Sequence, residues 1–175
     1  MRTWRNQLYL GPLPGLEWSI WTFENELRSA EIHTVVCLNP PEEIEYLSPG
    51  YGRWRKGVRA RGGIDTAEGD GAAQEVPPYA ITLVDIPIED YRAPSPEVAA
   101  LFWEHARRIG ELITAERRVF VHCTAGRGRT GTFGVAVLME LGYTYPEAAG
   151  ELWSIGSYPE AAEQEAFLLT RTRSG

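Results

Sequence analysis

At 175 residues, 43% of them hydrophobic and 6 of them Trp, the chain suits one filled core and excludes a disordered or fibrous polymer. Its 24 acidic against 17 basic residues give a net charge of −7, which argues against nucleic acid or an anionic membrane as the main partner. Two cysteines exclude a disulfide framework and fit a reducing compartment. No apolar run approaches the roughly 18 residues of a membrane span, and no signal-peptide core follows Met1, so a cytoplasmic protein without a membrane span is expected.

In chain order, Gln7 to Gly11 reads as a short strand ended by Gly-Pro. Leu16, Ile20, Phe23 and Leu27 recur at helical spacing and predict a helix over 16–30. Ile32 to Leu38 is a β-branched strand containing Cys37, read as a core residue, and it is closed by Asn39-Pro40-Pro41. Glu42 to Leu47 suits a helical turn. From 48 to 78, glycines, prolines and charges predict an irregular insertion in an otherwise single domain spanning 1–175. Arg53 to Arg61 holds five cations there, either a solvated face or a basic rim for substrate.

Tyr79 to Ile86 predicts a strand, and Ser95-Pro96-Glu97 starts a helix with Val98, Phe102, Ala106, Ile109 and Ile113 as its buried stripe. Val119 to His122 is a strand. Thr132 to Leu141 is apolar nearly all round, as a central buried helix is, and Gly142 ends it. Thr144 with Glu147, and Ser157 with Glu160, have capping-box spacing and predict two further helices. Strands alternating with helices predict an α/β three-layer sandwich, a central mostly parallel sheet with helices on both faces. The turn after Val119 to His122 then lies at the carboxyl end of the sheet, where such folds bind ligands.

That turn reads His122-Cys123-Thr124-Ala125-Gly126-Arg127-Gly128-Arg129-Thr130-Gly131. Wrapped around an oxyanion, its backbone from Thr124 through Ala125, Gly126, Arg127 and Gly128 to Arg129 can aim N–H groups at one centre, aided by the start of the next helix. The same dipoles and cation favour thiolate over thiol, making Cys123 a nucleophile. Arg129 supplies a planar fork matched to two phosphoryl oxygens. Thr130 can donate to the sulfur and ease its departure, and His122 can fix the cysteine from the strand end. The plainer alternative is a buried free cysteine before a glycine-rich turn.

Expulsion of an alkoxide or phenoxide needs a proton donor. Asp85 sits in a strand, whereas Asp90, between prolines 87 and 94, sits on a loop able to close over substrate. Asp90 is therefore the expected acid, ahead of Asp85 and Glu89.

HCTAGRGRTG resembles the signature of the cysteine-dependent protein tyrosine phosphatase superfamily, and Leu8 to Gly11, Ile32 to Val36 and Pro159 to Phe167 resemble segments of its dual-specificity branch. The acid loop of that branch precedes its cysteine by a little over thirty residues, and here 123 − 90 = 33. The resemblance implies a phosphocysteine intermediate, no cofactor or metal, and phosphotyrosine, phosphoserine or phosphothreonine proteins or a small phosphate ester as substrate. It also implies a possible water-positioning role for Gln164 and, in some members, a disulfide partner for the nucleophile, near which Cys37 lies. Arg127 is a loop cation shared with lipid and inositol phosphatases. RNA 5′-phosphatases and non-catalytic phosphoresidue-binding modules are the remaining alternatives on this fold.

Overall fold

A computed structural model describes residues 1–61 and 80–172. Five strands form one sheet in the order β1(Arg2–Trp4), β2(Leu8–Gly11), β5(Arg118–His122), β3(Ile32–Cys37), β4(Thr82–Asp85). All neighbours are parallel except β1 and β2. The described helices are α1(Ile20–Ser29), α2(Pro41–Leu47), α3(Pro49–Ala60), α4(Pro96–Thr114), α5(Gly128–Glu140), α6(Tyr145–Ser154) and α7(Ala162–Thr172).

Alternation along the strands divides the core between two faces. Val119 and Val121 of β5 join Val36 of β3, Val84 of β4 and the apolar sides of α4 to α7. Phe120 joins Val35, Cys37 and Leu83 against α1 and α3 on the other face. Both faces are thus covered by helices, which is the predicted three-layer sandwich and lets apolar residues of the three central strands be buried on both faces.

The edge strand β1 escapes a pattern reading because it is three residues long. Its turn to β2 uses Arg5 and Asn6 in the left-handed region (φ 50° and 56°) where Asn-Gly is usual. Helix α1 starts at Ile20, later than the apolar spacing predicts, because Ser19 accepts the Thr22 N–H as N-cap while Leu16 stays exposed. Helix α3 corrects the expectation of irregular structure from residue 48. Tyr51, Trp54, Arg55 and Val58 fall on one helical face and are buried, a stripe masked in sequence by Gly50, Gly52, Gly57 and the intervening cations. The remainder of that expected insertion, 62–78, lies outside the described residues.

Helix α5 begins at Gly128, inside the glycine-rich turn, and is buried from there to Leu138. Thr144 and Glu147 form the predicted capping box of α6. Ser157 and Glu160 do not cap α7, which begins at Ala162; both turn toward the loop at the head of α5. Among the described residues, no helix is long and apolar enough to cross a membrane.

Candidate active site

Strand β5 is covered on both faces and delivers Cys123, 3% exposed, to the carboxyl end of the sheet. The carbonyls of the following turn face outward to fixed donors. Thr124 O accepts from the Leu13 N–H at 3.1 Å, and Gly126 O accepts from Arg2 Nη1 at 2.7 Å and from Ser157 Oγ at 3.1 Å. Across a trans peptide an outward carbonyl sends the next N–H the opposite way, so the amides of Ala125 and Arg127 turn to the inside of the wrap. Gly126 makes this possible. Its φ is +68°, and a Cβ there would lie 2.3 Å from the Gly11 carbonyl carbon.

Arg129 forms the floor, with its side chain 1% exposed. Its Nη1 and Nη2 reach the two oxygens of Glu43 at 2.6 and 2.9 Å, and Nη1 also donates to Ile88 O at 3.0 Å. Glu43 comes from α2, on the loop side of the sheet, and accepts from Thr124 Oγ1; Asn39 Nδ2 donates to that same hydroxyl at 2.7 Å. The Nε edge of Arg129 is buried and has no hydrogen-bond partner among the described residues. The Nη pair is therefore anchored, Nη2 also donating to Thr124 Oγ1 at 3.1 Å, and Nε is the one donor of the fork left without a partner among the described residues. Burial opposes ionisation of Glu43, but hydrogen bonds from Arg129 and Thr124 and the guanidinium charge outweigh it and hold its carboxyl below the usual range. For Arg129, burial is likewise opposed by the Glu43 hydrogen bond and by the charges of Cys123, Glu43 and Asp90, and the net effect is to keep it protonated.

Asp90 lies at the mouth, 62% exposed on its side chain, with Oδ1 at 3.1 Å from Arg129 Nη2. It stands on the loop from β4 to α4, as expected. Asp85, the runner-up, is engaged elsewhere: Arg55 and Arg59 both pair with its carboxylate. Gln164 is 1% exposed. Its Oε1 accepts from the Glu160 and Ala161 N–H groups at 2.9 and 3.3 Å, and its Nε2 donates to Arg92 O at 3.1 Å, two residues beyond Asp90. It ties the acid-bearing loop to the start of α7. Nearby, Glu160 Oε2 accepts the Gly128 N–H at 3.0 Å.

His122 faces the α3 side of the sheet, where Nε2 meets Tyr51 Oη at 2.7 Å and the ring stacks on Phe120 with centroids 5.6 Å apart. Burial, with the Arg55 charge adding to it, pushes its pKa down to about 3 against an opposing contribution from the Cys123 backbone, so the imidazole is neutral. Thr130 Oγ1 is buried without a hydrogen-bond partner among the described residues, so this structure does not join it to the sulfur. Ala125 and Arg127 are the exposed members of the loop. Cys37 is a free, buried thiol whose pKa burial pushes up to about 12, and its strand partner across β3 and β5 is His122, not Cys123.

Sequence reasoning missed Glu43, Asn39, Tyr51 and Ser157. Glu43 lies 86 residues from the arginine it clamps, and nothing in Pro-Pro-Glu-Glu-Ile-Glu marks which carboxylate turns inward. Tyr51 falls in the segment read as irregular. Ser157 carried a signal, its spacing to Glu160, that pointed to a helix cap instead.

A mostly parallel sheet with helices on both faces, and a Cys-x5-Arg loop between a central strand and a buried helix, is the fold of the cysteine-dependent protein tyrosine phosphatase superfamily. The family model described as the DSP-PTPase phosphatase domain of the Swiss Army Knife proteins (PTP-SAK) matches residues 66–174, more than half of the chain, and the chain belongs to that family. Solved structures with the same fold include kinase associated phosphatase carrying a serine in place of its catalytic cysteine (17% identity, TM-score 0.71, covering 95% of this chain and 86% of that one). A glycine-to-alanine mutant form of Tk-PTP is 23% identical with a TM-score of 0.69, covering 99% and 97% of the two chains. PTPMT1 in complex with PI(5)P is 17% identical with a TM-score of 0.65, covering 97% and 96%. No curated protein sequence matches the chain.

Proposed function

We propose that the chain, acting as a single domain over 1–175, is a phosphomonoester hydrolase of the protein tyrosine or dual-specificity type that works through a phosphocysteine intermediate. The observation that carries this reading is Arg129. It is buried beside the loop that starts at Cys123, clamped on one edge by Glu43 and unpartnered at Nε, with Asp90 at 3.1 Å on the solvent side.

In the first step Cys123 Sγ bonds to phosphorus as the bond from phosphorus to the leaving oxygen breaks, and Asp90 gives its proton to that oxygen. The loop amides and Arg129 hold the three equatorial oxygens, where charge accumulates. In the second step Asp90, now a carboxylate, takes a proton from water whose oxygen attacks phosphorus. Cys123 leaves as thiolate, assisted by the Thr130 hydroxyl, and inorganic phosphate departs. No metal or cofactor enters either step. His122 positions the cysteine through its ring contacts with Tyr51 and Phe120.

The expected substrates are phosphorylated proteins in the cytoplasm, phosphotyrosine foremost and phosphoserine or phosphothreonine beside it. A second reading keeps the chemistry and takes a phosphoinositide or inositol phosphate, favoured by the exposed Arg127 within the loop. Hydrolysis of nitrophenyl phosphate in chelator tests the shared chemistry. Activity that disappears in Cys123→Ser is expected, and activity that survives that substitution sinks the mechanism. A panel of phosphopeptides and phosphoinositides then separates the two substrate readings.

A further inference from the structure

Between α2 and α3 lies a cleft of about 340 Å³ lined by Arg53, Arg55, Lys56 and Arg59, with Glu45 on its α2 side. On a chain of net charge −7 this is a local reversal of sign. Among the described residues, four cations face two carboxylates, Glu45 and the Asp85 that pairs with Arg55 and Arg59. The cleft has a buried floor as well as a surface. Arg55 is 7% exposed, and its Nε is buried without a hydrogen-bond partner among the described residues. That guanidinium places a buried positive charge beneath the exposed cations of the cleft. Arg53 and Lys56 stand exposed above it, able to close on a charged ligand.

The cleft is continuous with the catalytic machinery through one short helix. Glu43 of α2 turns into the loop to clamp Arg129, while Ile44 and Glu45, the next two residues, line the cleft. Arg55 Nη1 also lies 3.8 Å from Cys37 Sγ, and Cys37 is the strand partner of His122, the residue before the nucleophile.

We propose that this cleft is a second oxyanion site that binds a phosphoryl group distinct from the one held at Cys123. Its use during turnover rests on the phosphatase reading, whereas its binding does not. The group belongs either to a substrate carrying more than one phosphate or to a separate anion, and the chemistry of recognition is the same.

The test is calorimetric titration of the full chain with tripolyphosphate, for the unmutated protein, an Arg53→Ala/Lys56→Ala variant, and an Arg107→Ala/Arg108→Ala control with the same charge change on α4. The residues changed are solvent-facing, and unchanged thermal melting checks that each variant is folded. Affinity is expected to fall about tenfold in the Arg53/Lys56 variant, in keeping with the loss of charge-assisted hydrogen bonds, and less than twofold in the control. Equal losses in both variants, or no loss in either, overturn the site. Turnover of nitrophenyl phosphate distinguishes the two sources. Tripolyphosphate that competes with substrate and loses potency in the Arg53/Lys56 variant indicates a second group on the substrate; groove-dependent binding without competition indicates a separate anion. Groove-dependent binding by a protein that hydrolyses no nitrophenyl phosphate would refute the phosphatase reading and leave the oxyanion site standing.

Discussion

At the scale of single residues, Glu43 carries the largest consequence that the catalytic motif does not announce. It is 21% exposed on its side chain and makes the two-point contact that orients Arg129. Glu43→Gln keeps the shape and removes the charge, and kcat/KM for nitrophenyl phosphate is expected to fall about tenfold, a loss of ~1.4 kcal/mol in transition-state stabilisation. Unchanged kinetics would show that Arg129 holds its pose without it. Acid acts on the same contact. A carboxyl whose folded pKa lies below its usual 4.5 contributes stability above that value and loses it as the pH falls through the folded pKa.

His122 works in a different window. Its unfolded imidazole takes a proton near 6.5 and the folded one only at about 3, so the unfolded state binds more protons between these values and stability falls as the pH drops through them. Denaturant titrations at pH 7.5 and pH 5 are expected to show that decline, with a shallower slope in His122→Gln. Equal slopes would contradict burial of a neutral ring. Tyr51→Phe leaves His122 Nε2 without its partner and is expected to cost about 1–3 kcal/mol in the same titration. Neither Glu43 nor Tyr51 was legible in the sequence as a site residue. Cys123 and Arg129 stood out as candidates because their loop compresses its pattern into adjacent positions, and Asp90 because it sits between prolines on a separate loop, whereas a long-range clamp leaves no local spacing.

At the scale of elements, the loop and its supports behave as one unit. Gly126→Ala forces a Cβ into the Gly11 carbonyl while demanding a left-handed backbone. The expected result is a protein that folds with a displaced loop and loses about a hundredfold or more in kcat/KM, roughly 2.7 kcal/mol; normal kinetics would mean that the wrap is looser than its carbonyl contacts suggest. Gln164→Ala tests the link between α7 and the acid-bearing loop. A poor leaving group such as phenyl phosphate should lose several-fold more kcat than nitrophenyl phosphate, because only the former depends strongly on a well-placed proton donor. A uniform loss on both would point to the water-positioning role instead.

The elements themselves were largely legible. β5, α5 and the capping box of α6 follow from apolar runs and cap chemistry. β1 was hidden by its length, and α3 was hidden because three glycines and four cations obscure a four-residue buried stripe. Ser157 and Glu160 show the opposite failure. Residues with cap spacing serve a neighbouring loop, and only tertiary placement reveals which backbone groups they satisfy.

At the scale of the whole molecule, an acidic chain gathers positive charge, among its described residues, at the loop carrying Arg127 and Arg129 and in the cleft between α2 and α3. The sheet explains their proximity. β5 leads into Cys123 and β3 beside it leads directly into α2, so the helix that clamps Arg129 also walls the cleft. That adjacency depends on strand order, which no single sequence pattern encodes.

A covalent phosphocysteine on Cys123 would be caught by rapid mixing of nitrophenyl phosphate with Thr130→Ala, followed by intact-protein mass spectrometry. Removing the hydroxyl should slow thiolate departure more than attack. A burst of one nitrophenolate per protein molecule and a single phosphoryl group mapped to Cys123 are expected, both absent in Cys123→Ser. Linear release with no phosphorylated protein, or turnover that persists in Cys123→Ser, would contradict the covalent intermediate.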